Sequence, residues 1–442
     1  MRKPAVSPYT HRNIRALAAP MILSNVTVPL LGLVDTAVMG HLPDPRYLAA
    51  VAVGGTIFSF LFMGLNFLRM GTTGLAAQAR GAGDGDLARA VLAQALIIAL
   101  GLASLLLLIQ RPTGQLAMWL IAPEAQVVAP AWTYFTVRIW AAPAVLANFA
   151  LIGWFIGMQN TRAPLYIMLL INLSNIGLSL LFVVGLDYRT GGVAAASVLA
   201  EFAGLTLGAW LVGRELATFG GSLKRLRVLD PAGLRRIFSV NANLLVRTLS
   251  LMFVFGFLTA QGARQGTAVL AANAILIQFQ YFMAYALDGF AHAAEALVGR
   301  ALGERNPAGF QRAVRLSLIW SASVAVCFST VYAVSGNSII TLLTGQADLR
   351  ALTAEFLPWI VLSPLVSFWS FLFDGVFVGA TWAREMRNTM LFSAFVVFVP
   401  AFYLGQLAGM GNHGLWLAFV IFMAARALTM GRAYRHLRTQ AG

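Results

Sequence analysis

Five carboxylates lie where water is scarce: Asp35, Glu201, Asp288, Glu295 and Asp374. Each sits in a run of Leu, Val, Ala, Phe and Met. Asp35 stands in VPLLGLVDTAVMGHL, residues 28–42, with no ionisable neighbour nearer than His41. A charged side chain at mid-membrane costs about 2.5–3.5 kcal/mol on insertion scales, so such residues are read as functional by default. Burial of a carboxyl in apolar surroundings brings its proton exchange toward neutral pH. A group of that kind can hold a proton and a cationic solute in turn, and Asp35 is the principal candidate. The alternative is a carboxylate paired with a buried arginine, or one at the end of its run facing water. Pro20, Pro29 and Gly32 lie in the same run and can bend or break a helix there.

Asp288, His292 and Glu295 follow an i, i+4, i+7 pattern and so share one helical face, which Tyr281 and Tyr285 extend. They form a candidate polar lining, and pairing of the acids with Arg247 is the equal alternative. Asp374 precedes GVFVGATWAREMRN and is expected to hold the loop that carries Arg384 and Arg387. In LINLSNIGLSLLFVVG, Asn172, Asn175 and Ser179 recur at three and four residues; Ser197 and Glu201 are four apart. Oxygen donors so spaced could coordinate a small cation or bond a protonated carboxyl. In membrane helices such residues more often serve interhelical packing.

The elements that must position these residues follow from composition. Of 442 residues, 59% are hydrophobic and 11% charged, whereas soluble domains carry about a quarter charged residues. A span needs roughly 20 mostly apolar residues. Twelve such runs are read at 14–41, 48–76, 88–110, 126–158, 164–186, 191–213, 234–260, 268–299, 311–336, 351–380, 388–408 and 413–434. The chain is therefore expected to be an all-α polytopic membrane protein. Its formal charge of +15 does not point to nucleic acid. The odd-numbered loops hold five basic residues, Arg46, Arg111, Arg189, Arg264 and Arg350, and four more (Arg69, Arg138, Arg247 and Arg426) lie inside spans. The remaining 22 of the 31 lie at the two termini and in the even-numbered loops. Positive residues are retained on the cytoplasmic side, so both termini are expected there.

The two halves of the chain repeat. At a shift of 222, Leu48, Ala49, Ala50, Ala52, Phe60 and Leu65 meet Leu270, Ala271, Ala272, Ala274, Phe282 and Leu287. The same shift carries Gly81 to Gly303, Phe155 to Phe377, Gly157 to Gly379 and Gly192 to Gly414. Residues 1–213 and 234–442 are read as two six-helix lobes, joined by a cytoplasmic linker at 214–233. Each lobe has an even number of spans, so the repeats are parallel, as in carriers whose halves rock around a central site. On helix two, Asn66, Arg69 and Thr73 occupy the face that matches the Asp288 stripe.

Other chemistry lacks its signatures. There is no P-loop, no H-E-x-x-H and no Cys/His metal cluster, so neither an enzyme nor an ATP-driven pump is expected. The single Cys327 is read as a small core residue. The basic N-terminus precedes a span-length run without an A-x-A-like site, so no cleaved signal peptide is expected.

At this point the residues resemble a known family. VDTAVMGHL, FLRMGTTGLAAQARGAGD, LDGFAHAAEALVGRALG and DGVFVGATWAREMRN look like multidrug and toxic compound extrusion (MATE) transporters of the DinF branch, across both halves. The resemblance implies twelve helices in two pseudo-symmetric bundles, V-shaped around a cleft, in a bacterial inner membrane. It implies export of amphipathic, often cationic drugs in exchange for H+ or Na+, with no other cofactor. In the family the helix-one aspartate of D-T-x-x-x-G is the principal coupling residue, here Asp35. The family site adds a helix-five Asn, an Asp four residues later and a helix-six Thr. Here Asn175 matches, while Ser179 stands in the acid's place and Ser197 in the threonine's. That departure weakens the case for Na+ and leaves Asp35 to carry the proton, with Glu201 one turn from Ser197 as a possible helper. Partners are expected to be such drugs and membrane lipid, without nucleic acid, for a monomeric chain. The rival function is a lipid-linked saccharide flippase, whose cavity should be rich in arginine to meet pyrophosphate.

Overall fold

The computed structural model describes residues 7–40, 44–223 and 228–440, with side chains throughout these except at 28–38, 40, 439 and 440. Among the described residues the chain is helical, with no strand. Twelve rods follow one another. The first six are α1 (His11–Gly40), α2 (Pro45–Gly81), α3 (Gly85–Leu108), α4 (Ala125–Gly157), α5 (Arg162–Gly185) and α6 (Arg189–Phe219). They are followed by α7 (Pro231–Arg264), α8 (Thr267–Gly303), α9 (Pro307–Leu343), α10 (Ala347–Ala380), α11 (Ala383–Leu407) and α12 (Gly411–Gln440). Eleven of them, α2 to α12, are long and apolar enough to cross a membrane over their described residues. Each expected run falls within one rod or within a residue or two of its ends.

The rods outreach the apolar runs because polar residues continue them past the bilayer. Asp84 caps α3 by accepting from the Leu87 N–H at 2.9 Å, and Asn306 caps α9 by accepting from Gly309 at 2.8 Å. A short helix, Gln110–Ile121, joins α3 to α4 and was not foreseen. Three rods are locally irregular: a turn at Asn66 interrupts α2, a 3₁₀ turn at Ile139–Ala141 interrupts α4, and π-helical turns close α5 and open out α11. By contrast α1 is continuous through Pro20 and Pro29.

The chain divides into two compact units, Leu23–Phe238 and Ser239–Gly442, the second taking in Met1–Ile22. Each unit is built around one repeated contact. In the first, a Cβ at Gly153 or Gly157 of α4 would strike the Arg69 or Thr73 carbonyl of α2. In the second, a Cβ at Gly375 or Gly379 of α10 would strike the Ala291 or Glu295 carbonyl of α8. Every member of one set maps on the other at the shift of 222. Lipid tails are as apolar as Leu, so van der Waals packing holds membrane helices together, and small residues let backbones close in. The linker is fixed to the first unit: Arg89 donates to the Leu216 carbonyl at 2.7 Å, and Asp86 accepts from the Ser222 N–H at 2.7 Å.

Cys327 is exposed on α9 rather than buried in a core. It follows Val326 on the outward stripe of that helix, where small size gives no guide to orientation.

Candidate functional site

In the first unit, helices α5 and α6 bring three of the expected residues together. Asn175 donates its amide to Ser197 Oγ at 2.7 Å, and the Ser179 hydroxyl donates to Asn175 Oδ1 at 3.2 Å. All three are buried. One turn earlier, Asn172 turns to α1 and donates to Thr27 Oγ1 at 2.7 Å, while Thr27 donates to the Ser24 carbonyl. The spacing of three and four residues sets these side chains along one edge of α5, as the sequence suggests. Asp35 belongs to α1, but its side chain lies outside the described residues, as does that of Pro29. Pro20 lies within α1, two residues before the boundary between the units at Ile22 and Leu23.

Glu201 does not join that cluster. Its carboxylate accepts from Asn148 Nδ2 at 3.0 Å and stands 3.9 Å from Arg138 Nη2. The Arg138 guanidinium lies over the rings of Phe58 and Phe62, at 5.9 and 5.8 Å from their centroids. The acid one turn from Ser197 is thus engaged by an in-span arginine of α4. Thr27, Arg138 and Asn148 were missed as site residues. Arg138 carried a signal: an arginine inside an apolar run needs a partner there.

In the second unit the dominant feature is a buried charge cluster. Asp374 Oδ2 of α10 accepts from Arg247 of α7 and, at 2.7 Å, from Arg426 of α12. Arg426 also lies over Phe422, 5.5 Å from its centroid. Asp374 Oδ1 and the Nε atoms of both arginines have no partner. The expectation that Asp374 holds the loop that carries Arg384 and Arg387 is corrected: its carboxylate is taken by Arg247 and Arg426, and Arg387 bonds Asn388. Two guanidinium groups already share the carboxylate, and a buried charge pairs where it cannot reach water. Arg247 is thus engaged by Asp374, and Asp288 of the α8 stripe is close enough to act electrostatically on Arg426 of the same cluster.

That stripe runs from exposed to buried along α8. Tyr281 is exposed and packs its ring 6.2 Å from that of Phe255; Tyr285 and Asp288 are half-buried. His292 and Glu295 are buried and bonded to each other, His292 Nδ1 to Glu295 Oε1 at 3.3 Å. The acid deepest in protein is Glu295, whose neighbour Gly379 seals α10 against it.

The positions of α11 and α12 that match the α5–α6 cluster are Ala394, Val397, Ala401 and Phe419. Ala394 and Phe419 are buried in the apolar core of the unit. Only the first unit therefore presents clustered neutral hydrogen-bonding groups at that place in the repeat.

The MatE family model matches the chain twice, at residues 20–181 and 243–404. The DNA damage-inducible protein F of Escherichia coli (strain K12) is 43% identical over 95% of this chain and 91% of its own length. A probable multidrug resistance protein NorM of Caulobacter vibrioides is 27% identical over 94% of this chain and 89% of its own. Among solved structures, an outward-facing multidrug resistance MATE family transporter of the MOP superfamily superposes with a TM-score of 0.88 at 20% identity. It covers 98% of this chain and 96% of that one.

Proposed function

The chain belongs to the MatE family, and on that premise we propose that it exports amphipathic, often cationic compounds across a bacterial inner membrane in exchange for protons. It is a multi-pass membrane transporter, not an enzyme. Relatives named as multidrug resistance proteins support drugs as the cargo.

The observation that carries the proton reading is the Asn175–Ser179–Ser197 cluster, which holds neutral donors and acceptors and no second acid. A dehydrated Na+ needs several oxygen ligands, preferably with more than one negative charge. A proton needs one carboxyl and a neighbour to hydrogen-bond it. Asp35 supplies that carboxyl in this reading. Asn172 ties α5 to Thr27 of α1, and both helices cross the membrane in the same sense. Asp35, eight residues beyond Thr27, then comes level with Ser179, seven beyond Asn172. Glu201 is taken up by Arg138 and Asn148 and plays a supporting part at most.

The mechanism is competition. Ionised Asp35 favours the cationic drug, and protonation from outside removes that attraction. Each ligand biases the same two-state element through its differential affinity, which is all that antiport requires. The test is drug accumulation in cells without their own exporters, with and without a proton uncoupler. Asp35→Asn, expressed at the wild-type level, should lose uncoupler-sensitive export; continued export against a gradient would overturn the assignment. Wild-type export that survives the uncoupler and follows a sodium gradient would overturn the choice of ion.

A further inference from the structure

The outward stripe of α9 changes character along its length. Beyond Ile319 it is apolar, with Ile319 43% and Val326 56% exposed, as befits a face against lipid tails. One and two turns before Ile319, the same stripe presents Arg315 and Arg312, both exposed. The distance from Arg312 to Ile319 is about 10 Å along the axis, the span from a lipid headgroup to its upper chain.

The first turns of α1 lie beside this transition. Trp320 donates its indole N–H to His11 Nδ1 at 3.1 Å, and the Arg15 guanidinium lies 5.6 Å from the Trp320 ring centroid. Phe290 stacks on Trp320 at 5.9 Å with an interplanar angle of 4°, which fixes the indole in place. Arg12 and Arg15 are exposed. Among the described residues, none of Arg12, Arg15, Arg312 and Arg315 has a carboxylate partner. The acid of this region, Glu304, is already taken by Arg300 and Tyr9, both at 2.6 Å. Two unneutralised cations on α9, Arg312 and Arg315, thus continue its lipid-facing stripe. Two on α1, Arg12 and Arg15, flank the anchored Trp320, with Arg15 directly over the ring, where indoles favour the membrane interface.

We propose that Arg12, Arg15, Arg312 and Arg315, with His11 and Trp320, bind the phosphate-bearing headgroup of an anionic phospholipid in the cytoplasmic leaflet. Its tails lie on Ile319 and Val326. Guanidinium groups suit phosphate because they offer paired donors in a fixed fork. Basic residues that only set topology would attract the leaflet's charge without selecting a lipid. A built site holds one lipid against Trp320. The proposal does not depend on the coupling reading, because none of these residues belongs to the α5–α6 cluster or to the Asp374 cluster.

The test uses the full chain in phosphatidylcholine nanodiscs that contain a fraction of lipid brominated on its tails. The signal from Trp320 is the difference between wild type and Trp320→Phe. Brominated phosphatidylglycerol should quench it well beyond brominated phosphatidylcholine at equal fraction. Replacing arginines by glutamine should weaken the excess about fivefold for each one removed, and lysine at the same positions should largely restore it. If the fourfold glutamine variant does not fold, Arg312→Gln with Arg315→Gln on the exposed stripe gives the same comparison. Equal quenching by the two lipids in wild type, or an excess that survives the glutamine variants, would overturn the proposal. So would suppression of the excess by millimolar inorganic phosphate, which would mark a site for a free anion.

Discussion

The two lobes share a skeleton and differ in what it carries. Gly153 and Gly157 approach α2 as Gly375 and Gly379 approach α8. The likeness extends to a hydrogen bond: Asn148 donates to the Glu201 carbonyl as Ser370 donates to that of Met423, the matching pair at the shift of 222. Charge does not follow the repeat. The first lobe has Arg138 beside Glu201 where the second has Ile360 and Met423. The second has Arg247, Asp374 and Arg426 where the first has Asn25, Ile152 and Gly204. Backbone approach is fixed by architecture and recurs in both copies, while in-span polar groups are costly and stay only where each lobe uses them.

The sharpest way to break this comparison is to remove a charge from each lobe. Asp374→Asn removes the carboxylate that two buried guanidinium groups share, which should cost about 3–5 kcal/mol. We expect failed expression or a large drop in unfolding temperature in detergent. Glu201→Gln should cost less, because Asn148 keeps a carbonyl partner and Arg138 keeps its aromatic rings. Equal losses would show that the Asp374 cluster is no more than the Glu201 pair written twice. A second comparison bears on the skeleton itself. Gly157→Ala and Gly379→Ala each push a methyl into a facing backbone carbonyl, and overpacking costs about 1–3 kcal/mol. The two losses should be alike, since the same contact is spoiled; thermal unfolding of both variants measures this, and a large difference would deny the equivalence.

A smaller effect on stability, with a change of function, is expected at the α5–α6 cluster. Asn175→Ala removes a donor to Ser197 and the acceptor of Ser179, at about 1–2 kcal/mol. Val397→Ala at the matching place in the second lobe breaks no hydrogen bond. If the first lobe alone handles the coupling ion, Asn175→Ala should lower uncoupler-sensitive export while Val397→Ala leaves it intact. Equal impairment of export in the two would sink that asymmetry.

Much of the architecture was legible because it rests on composition. Long apolar runs announce spans, and a constant offset announces a duplication. Which residues meet across helices was not legible. Arg247 and Asp374 are 127 positions apart, and nothing in either local stretch says that they pair. The local setting of Asp374, just before a basic loop, pointed the wrong way. The rule that in-span charges must find one another was available, since Arg138, Arg247 and Arg426 were all visible inside runs; it lacked the knowledge of which rods are neighbours. Cys327 failed for a related reason: in a helix apolar on all sides, periodicity does not separate core from lipid. The Asn175–Ser197 bond was within reach because both residues lie on consecutive helices at small-residue spacing.

The loops between the second and third helix of each lobe offer the mildest comparison, and one with a pH signature. Both are capped alike, by Asp84 and by Asn306. The first is held by the linker, whereas the second is held by Tyr9, a buried side chain that donates to Glu304 Oε2 at 2.6 Å. Burial pushes the Glu304 carboxyl up, but hydrogen bonds from Tyr9 and Arg300 outweigh it and hold the group below its ordinary 4.5. The Tyr9 hydroxyl is pushed up, by burial first and then by Glu304. A carboxyl held low in the folded state stabilises it above the ordinary value and loses that effect as pH falls below 4.5. A phenol held high stabilises the fold up to its ordinary 10.0 and loses that effect only at higher pH. Tyr9→Phe removes the bond and should cost about 1 kcal/mol or less, since Glu304 is partly solvated. The gap in unfolding temperature between wild type and Tyr9→Phe should be flat between 4.5 and 10.0 and narrow below that window. A gap for Tyr9→Phe that stays flat as the solution is acidified below 4.5 would mean that Tyr9 acts through packing against Gly309 and not through the Glu304 carboxylate.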